Sequence, residues 1–297
     1  MQTRNGVETL LSGFHFVEGP RWHDEQLWFS DMHGHCVLRS SLDGKMPGVE
    51  AVATIEDDHP SGLGWLPDGR LLVVAMASQQ LRRVEADGSV VVHADLSSVA
   101  IGDCNDMISR ADGTAWVGDM AYSVHGAPAD RQSGQTILVT PDGGVQSAAG
   151  GLEAPNGHIL TEDGKTLIVA ESASFRLTAF DVCSDGTLEN RRTFAELSPE
   201  AGFAYAPPDG ICLDADGAVW VADPIAKRFY RVLEGGEVTD VIRPPNGANA
   251  IACTLGGPER RTLIMAVSDA LPGREPLPAG NARLDGLVVD VPGAGRP

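Results

Sequence analysis

The stretch Asp209-Gly-Ile-Cys-Leu-Asp-Ala-Asp-Gly-Ala-Val-Trp-Val-Ala-Asp223 contains a short apolar run, an Asp-Gly pair and a second apolar run. An Asp-Gly pair between two apolar runs is typical of the tight turn of a β-hairpin. The same arrangement begins at Asn156, at Asn105 and at Ser61, and in each copy the turn aspartate lies seven residues after the first position. The sequence therefore contains one hairpin in at least four copies.

Two weaker copies extend the repeat towards both ends of the chain. One begins at Glu18 and lacks the turn glycine, and the other begins at Asn249 and has a longer turn. The six copies start 43, 44, 51, 53 and 40 residues apart, and units of this length with several short strands are typical of propeller blades. We therefore predict an all-β, six-bladed β-propeller that forms a single domain over residues 1–297. A β-sandwich, the competing all-β architecture, does not predict six copies of one hairpin.

The composition argues against several classes of partner. The chain has 41 acidic and 22 basic residues and a net charge of -19, which disfavours nucleic acid and anionic membrane surfaces as partners. Its five cysteines are scattered without a CxxC pair, which argues against a disulfide framework and a zinc knuckle. The N-terminus lacks the apolar core of a signal peptide, and no apolar run approaches the length of a membrane span. We therefore expect a cytoplasmic protein.

The first position of each repeat is the candidate functional position. In a propeller the first strand of each blade lines the central channel, so these positions converge at one mouth of the channel. All six hold oxygen-bearing side chains: Glu18, Ser61, Asn105, Asn156, Asp209 and Asn249. Two carboxylates and several amide oxygens directed at one point favour Ca²⁺, Mg²⁺ or Mn²⁺. Asn-Gly and Asp-Gly pairs also favour turns, but turn formation does not explain an acid or amide at the same position of separate repeats.

The motifs at these positions resemble those of the regucalcin and gluconolactonase family, also called the senescence marker protein family. They are Glu18-Gly-Pro-Arg-Trp22, Asn105-Asp106, Pro155-Asn156-Gly157 and Pro208-Asp209-Gly210-Ile211. The resemblance extends from about residue 10 to about residue 270. It implies one divalent metal ion held by Glu18, Asn156 and Asp209, with Asn105 as a further ligand or a substrate contact. It also implies a hydrolase that opens a small lactone or ester. Ca²⁺ is the favoured ion, and Zn²⁺, Mg²⁺, Mn²⁺ and Fe²⁺ also occur in the family.

The chain departs from the family pattern at three places. Sugar lactonases of the regucalcin type carry Arg two residues before the channel Asn, whereas this chain has Asp103, which weakens the case for an aldonolactone. His158 stands where the family has an apolar residue, and strand alternation predicts it on the face of Asn156. There it contacts the substrate, acts in proton transfer, or serves only in packing or hydrogen bonding. The segment 122–135 is an insertion that covers the channel mouth or forms an ordinary surface loop.

These residues predict a metal-assisted hydrolysis, in which the metal polarises the carbonyl group, water attacks and a carboxylate takes the proton. Asp209, beside the metal, and Asp106, next to Asn105, are both candidate bases. Ser61, Asn105 and His158 are the predicted substrate contacts, and no Gly-x-Ser-x-Gly motif indicates a serine nucleophile. A phosphotriesterase-like hydrolase on the same metal and a non-catalytic calcium-binding propeller are the alternatives. The sequence leaves the oligomeric state open.

Overall fold

The computed structural model describes most of the chain, namely residues 2–3, 6–42, 48–124, 132–198, 202–203, 206–273 and 275–295. Within these residues the chain forms 25 β-strands and no α-helix. The same described residues include two short 3-10 helices, Pro245–Gly247 and Pro258–Arg260. No helix in this part of the chain combines the length and the hydropathy that crossing a membrane requires.

The first strands of the chain lead into three four-stranded antiparallel sheets. Two strands come before them: β1 (Gln2–Thr3) and β2 (Glu8–Phe14). Blade 1 contains β3 (Val17–His23), β4 (Gln26–Asp31), β5 (Cys36–Ser40) and β6 (Val49–Thr54). Blade 2 contains β7 (Pro60–Trp65), β8 (Leu71–Ala75), β9 (Gln80–Val84) and β10 (Val90–Asp95). Blade 3 contains β11 (Cys104–Ser109), β12 (Ala115–Asp119), β13 (Gly134–Val139) and β14 (Val145–Leu152).

The later strands form three more sheets, two of which take up the N-terminal strands. Blade 4 contains β15 (Pro155–Leu160), β16 (Thr166–Glu171), β17 (Arg176–Val182) and β18 (Leu188–Glu196). Blade 5 contains β19 (Ile211–Leu213), β20 (Val219–Asp223), β21 (Arg228–Val232) and β22 (Val238–Ile242). Blade 6 contains β23 (Asn249–Gly256), β24 (Thr262–Ser268) and β25 (Ala282–Val288). β1 pairs with β22, and β2 pairs with β25 as the outermost strand of blade 6, which joins the two ends of the chain.

The innermost strands of the six blades form a closed ring. β3 packs against β7 and β23, β11 packs against β7 and β15, and β19 packs against β15 and β23. The first two strands of each blade are the repeated hairpin that the sequence shows. The predicted all-β, six-bladed propeller is therefore confirmed, and the six repeat starts meet around one channel.

Burial explains why the innermost strands read as continuous apolar runs. β7, β11, β15 and β23 are buried along their whole length because neighbouring blades cover both faces. The outer strand β18 is mostly exposed. Apolar clusters fill the space between blades, and one of them joins blades 3 and 4 through Trp116, Leu138, Leu160, Leu167 and Phe180. Burial of each such side chain contributes roughly 1.5–3 kcal/mol.

The glycine at the second repeat position is needed for close packing between blades. A Cβ atom on Gly210 would lie 2.4 Å from Ala252 Cβ, and one on Gly157 would lie 2.7 Å from the Asp209 carbonyl oxygen. Gly157 N–H also donates to that oxygen at 3.3 Å, which links blades 4 and 5. Because Asn156 and Gly157 lie inside β15, this pair is not part of a turn. The glycine after the first repeat position is thus required because neighbouring innermost strands lie in close contact there.

Candidate metal centre

Irregular strand pairing aims the first-position side chains into the channel. In blades 1 to 4 the pairing of the innermost strand with its neighbour shifts register at the first position of the repeat. A β-bulge of this kind leaves a residue unpaired, bends the strand and changes the direction of its side chain. Glu18, Ser61, Asn105 and Asn156 lie in these irregular segments, and Asp209 immediately precedes β19.

A cavity of about 410 Å³ opens at this end of the channel. Four of the six first-position side chains line it, and these are the four predicted metal ligands: Glu18, Asn105, Asn156 and Asp209. The other two lie outside the lining. Ser61 is buried beside Asn105, and Asn249 donates from Nδ2 to the Ser268 carbonyl oxygen at 2.9 Å. The structure therefore brings together oxygen donors from blades 1, 3, 4 and 5.

A chain of hydrogen bonds crosses four blades at this point. Ser61 Oγ donates to Asn105 Oδ1 at 2.8 Å, and Asn105 Nδ2 donates to Asn156 Oδ1 at 3.1 Å. The Asn156 side chain in turn donates to the Asp209 carboxylate. Each amide oxygen has two lone pairs and uses one of them here, so Asn105 and Asn156 can still accept a second contact. The Ser61 hydroxyl is used in the hydrogen bond to Asn105, and Ser61 does not line the cavity. The structure therefore places this predicted substrate contact behind the cavity lining.

Glu18 and Asp209 share an electrostatically unfavourable environment. Both carboxyl groups are partly exposed to the cavity and otherwise surrounded by protein. Burial raises the pKa of Glu18 well above its usual range, and the charges of Asp209 and Asp106 raise it further. Burial also raises the pKa of Asp209 to about 8, although Asn156 donates a hydrogen bond to it. Among the described residues that line the cavity there is no lysine, arginine or histidine to balance two ionised acids.

The donor set fits a hard divalent cation. Two carboxylates balance the charge of such an ion, and amide oxygens complete an all-oxygen set of the type that Ca²⁺ accepts. In the described part of the chain no group of three His, Cys, Asp or Glu side chains could hold a metal. The four side chains here are two acids and two amides, which all offer oxygen donors. Such a set matches Ca²⁺ better than Zn²⁺, because Zn²⁺ prefers nitrogen and sulfur ligands.

Residues 16–269 match the family described as the SMP-30/Gluconolactonase/LRE-like region. The chain belongs to this family. It is 28% identical over 296 residues to regucalcin from Xenopus laevis, with 95% of each chain covered. It is also 28% identical over 174 residues to a 6-deoxy-6-sulfogluconolactonase from Pseudomonas putida. This alignment covers 57% of this chain and 58% of that protein.

Solved structures show the same fold. Regucalcin from Agrobacterium tumefaciens, which is described as a calcium-binding protein, superimposes with a TM-score of 0.78 at 20% identity, over 99% of this chain and 97% of that chain. At this level of identity the likeness concerns the fold alone. The match over residues 16–269 confirms the predicted relationship to the regucalcin and gluconolactonase family.

Asp103, the departure from the sugar-lactonase pattern, has a structural role in this member of the family. Its Oδ2 atom accepts hydrogen bonds from Ser123 Oγ at 3.0 Å and from Val124 N–H at 2.8 Å. Tyr122, Ser123 and Val124 line the cavity, so Asp103 anchors part of its wall. Residues 125–131 of the predicted insertion lie outside the described residues, and the alternatives for the rest of that segment stay open.

Asp106, one of the two predicted bases, is held behind the predicted ligands. Arg21 Nη2 donates to Asp106 Oδ1 at 2.7 Å and to the Met107 carbonyl oxygen at 2.7 Å. His158 N–H donates to Asp106 Oδ2 at 3.0 Å. Both carboxylate oxygens therefore have internal donors, and Asp106 is not among the described residues that line the cavity.

His158 also lies behind the predicted ligands. Its Nδ1 atom is 2.6 Å from the Asn156 carbonyl oxygen, and its Nε2 atom is 3.1 Å from Thr136 Oγ1. Since a carbonyl oxygen only accepts, Nδ1 carries the proton, and burial lowers the pKa of the ring. The register shift between Pro155 and His158 breaks the alternation on which the same-face prediction relied. The side chain is fully buried and supports Asn156, so the structure does not place this predicted substrate contact in the cavity.

The walls of the cavity, which the sequence did not reveal, are mainly apolar. Met32, Met76 and Met120 come from three successive blades, and proline, isoleucine and leucine side chains come from blades 5 and 6. Each methionine is the first residue after the second strand of its blade. Alignment of the repeats at that position would have shown the three equivalent methionines.

Proposed function

We propose that the protein is a metal-dependent hydrolase that opens a small lactone or ester. Glu18, Asn156 and Asp209 are the proposed metal ligands, and Asn105 is a fourth ligand or a substrate contact. The observation that supports this most directly is the pair of acids, both with raised pKa values, that face one cavity without a described cationic side chain.

The comparisons support the reaction class and the choice of metal. Membership of the gluconolactonase family and the name of the Pseudomonas putida relative favour a lactonase. Calcium is the proposed ion because the ligand set is all oxygen and because the Agrobacterium tumefaciens regucalcin is described as calcium-binding. The proposed partner is therefore a small molecule.

Ring opening by water requires a group that accepts a proton from the water and a group that gives a proton to the ring oxygen. The oxygen of a water molecule bonds to the carbonyl carbon, the ring C–O bond breaks, and the ring oxygen gains a proton to give a hydroxy acid. A divalent cation supplies the positive charge that polarises the carbonyl group. We propose Asp209 as the group that takes the proton from water and returns it to the ring oxygen, because its carboxylate lines the cavity, whereas both Asp106 oxygens are held by Arg21 and His158.

A substrate panel on metal-depleted protein tests this proposal. Lactones, carboxylic esters and phosphotriesters are assayed after chelation and after Ca²⁺, Mg²⁺, Mn²⁺ or Zn²⁺ is restored singly. Lactone hydrolysis is expected to return with Ca²⁺ in the wild type and in Asp216→Asn, which changes an exposed acid of the same hairpin, but not in Asp209→Asn.

Three other outcomes would contradict the proposal. Lactone hydrolysis that resists chelation in the wild type would exclude this metal centre from the reaction. Turnover of phosphotriesters alone would identify the phosphotriesterase-like alternative. Calcium binding without turnover of any of the three substrate classes would indicate a non-catalytic calcium-binding propeller.

A further inference from the structure

We propose that the substrate is a lactone that carries a hydrocarbon chain, and that the apolar cavity wall binds this chain. The reaction itself rests on the function proposed above, whereas the substrate class rests on the shape and chemistry of the wall. Because the wall is continuous with Glu18, Asn105, Asn156 and Asp209, a chain attached to the reacting ring would lie against it.

One side of the wall is formed by flexible thioether side chains. Met32, Met76 and Met120 face the cavity from blades 1, 2 and 3 and are 2%, 1% and 5% exposed. Unbranched methionine side chains adapt their rotamers to apolar partners of different shape. Such a surface suits an alkyl chain, and it provides no strong hydrogen-bond donor or acceptor for a hydroxyl group.

The opposite side leaves apolar side chains partly uncovered at the mouth of the cavity. Ile225 and Leu271, which line it from blades 5 and 6, are 55% and 41% exposed. Pro224 and Pro272 lie next to them in the same lining. Exposed apolar groups that converge on a cavity are typical of a surface that an apolar ligand covers.

The polar groups of the described wall do not match a polyhydroxylated ring. Among the described residues, the polar lining side chains outside the metal centre are Tyr122, Ser123 and Ser172. Ser123 Oγ donates to Asp103, and Ser172 Oγ donates to the Pro208 carbonyl oxygen at 2.6 Å. Each sugar hydroxyl that is buried without a hydrogen-bond partner lowers affinity, so a site for an aldonolactone needs more donors and acceptors than this wall provides.

The volume of the cavity limits how much of the chain it can bury. About 410 Å³ holds roughly a dozen groups the size of a water molecule, each of which occupies ~30 Å³ in the liquid. A five-membered lactone ring has six heavy atoms, so a chain of about six carbons fills the remaining space.

A homologous series of γ-lactones with side chains of zero to eight carbons tests the proposal on the calcium-loaded protein. We expect kcat/KM to rise about two- to fourfold for each added methylene until the cavity is full, since complete burial of a methylene corresponds to about fourfold. Glucono-δ-lactone should fall below the longer alkyl lactones. In the double variant Ile225→Ser with Leu271→Ser the rise per methylene should shrink, whereas Val288→Ser, which changes a side chain that is 70% exposed outside the lining, should keep it.

Binding of cyclopentanones with the same chains, in which a methylene replaces the ring oxygen, separates this proposal from the proposed reaction. Affinity that increases with chain length in calorimetric titrations would support the hydrocarbon-binding wall even if no lactone were hydrolysed, and only the reaction would then be wrong. Affinity and kcat/KM that are independent of chain length would overturn the proposal. Preference for glucono-δ-lactone, or a chain-length dependence that the double variant leaves unchanged, would also overturn it.

Discussion

Acids that are fully or largely enclosed by protein occur in two regions of this propeller, and their surroundings differ. At the ends of the second strands, acids such as Asp119 and Glu171 are fully buried and accept several hydrogen bonds. Asp119 accepts from Ile101 N–H, Gly102 N–H, Ala121 N–H and the Gln135 amide. At the channel mouth, Glu18 accepts from Gly19 N–H and Asp209 accepts from the Asn156 side chain. The same residue types therefore meet many donors in one region and few in the other.

The pKa values show the consequence of this difference. Burial acts to raise the pKa of Glu171, but hydrogen bonds from Arg176, Thr178 and Glu153 N–H outweigh it, and the pKa is lowered. Burial raises the pKa of Asp209 to about 8, because the hydrogen bond from Asn156 does not offset it. A buried acid whose donors belong to the chain stabilises the fold, whereas the channel acids, which have few donors, are the ones that the proposed cation would stabilise.

The largest expected effect is a difference between substitutions of the two acids of the proposed metal centre. Asp209→Asn should lower kcat/KM for the lactone at least about 10³-fold even at saturating calcium, because it removes a ligand and the proposed proton acceptor. Glu18→Gln should weaken calcium binding more than about 100-fold, and activity should return as calcium is raised. Calcium titration followed by steady-state kinetics measures both. If Asp209→Asn were also rescued by calcium, Asp209 would be a ligand only.

The next effect applies the same acid-to-amide change to both regions. Glu171→Gln should lower the free energy of unfolding by about 3 kcal/mol, because Arg176 and its neighbours lose a buried anionic acceptor. Asp209→Asn should raise it by about 1 kcal/mol in chelator at pH 8, because one of two neighbouring negative charges is removed. Urea unfolding in chelator measures both values. Equal destabilisation by the two changes would mean that the channel acids are structural as well.

A smaller effect concerns the pH dependence of stability without metal. The folded pKa of Asp209 lies above its unfolded value of about 4, so the folded state binds the proton more tightly than the unfolded state. The stabilising contribution of Asp209 is therefore fully present below about pH 4 and is lost as the pH rises through about 8. We expect the Tm in chelator to fall by at least about 4 °C between pH 5 and pH 8 from this source. Asp209→Asn should reduce the fall, and calcium should abolish it.

The fold could be predicted from the sequence because each blade begins with the same hairpin. The repeats also predicted that their first residues meet at one mouth of the channel. Four of these residues line one cavity: Glu18, Asn105, Asn156 and Asp209. The position of His158 could not be predicted, because the register shift in β15 breaks the strand alternation.

The repeat pattern also could not predict which side chains contact each other between blades. Arg21 forms an ion pair with Asp106, which lies 85 residues later in the sequence, and no local motif predicts this pair. The apolar wall was missed for a different reason, since Met32, Met76 and Met120 follow the strands instead of beginning them.

The smallest expected effect concerns Ser61, whose hydroxyl orients the Asn105 amide. Ser61→Ala removes the 2.8 Å hydrogen bond to Asn105 Oδ1 and should cost about 1 kcal/mol of stability. Because Asn105 in turn contacts Asn156, calcium affinity should fall a few-fold, whereas kcat/KM at saturating calcium should stay close to the wild-type value. Ser98→Ala, at an exposed position of the same blade region, serves as the control. Unchanged calcium affinity together with a loss of kcat/KM that differs between lactones would instead mean that Ser61 contacts the substrate directly, as the sequence pattern predicts.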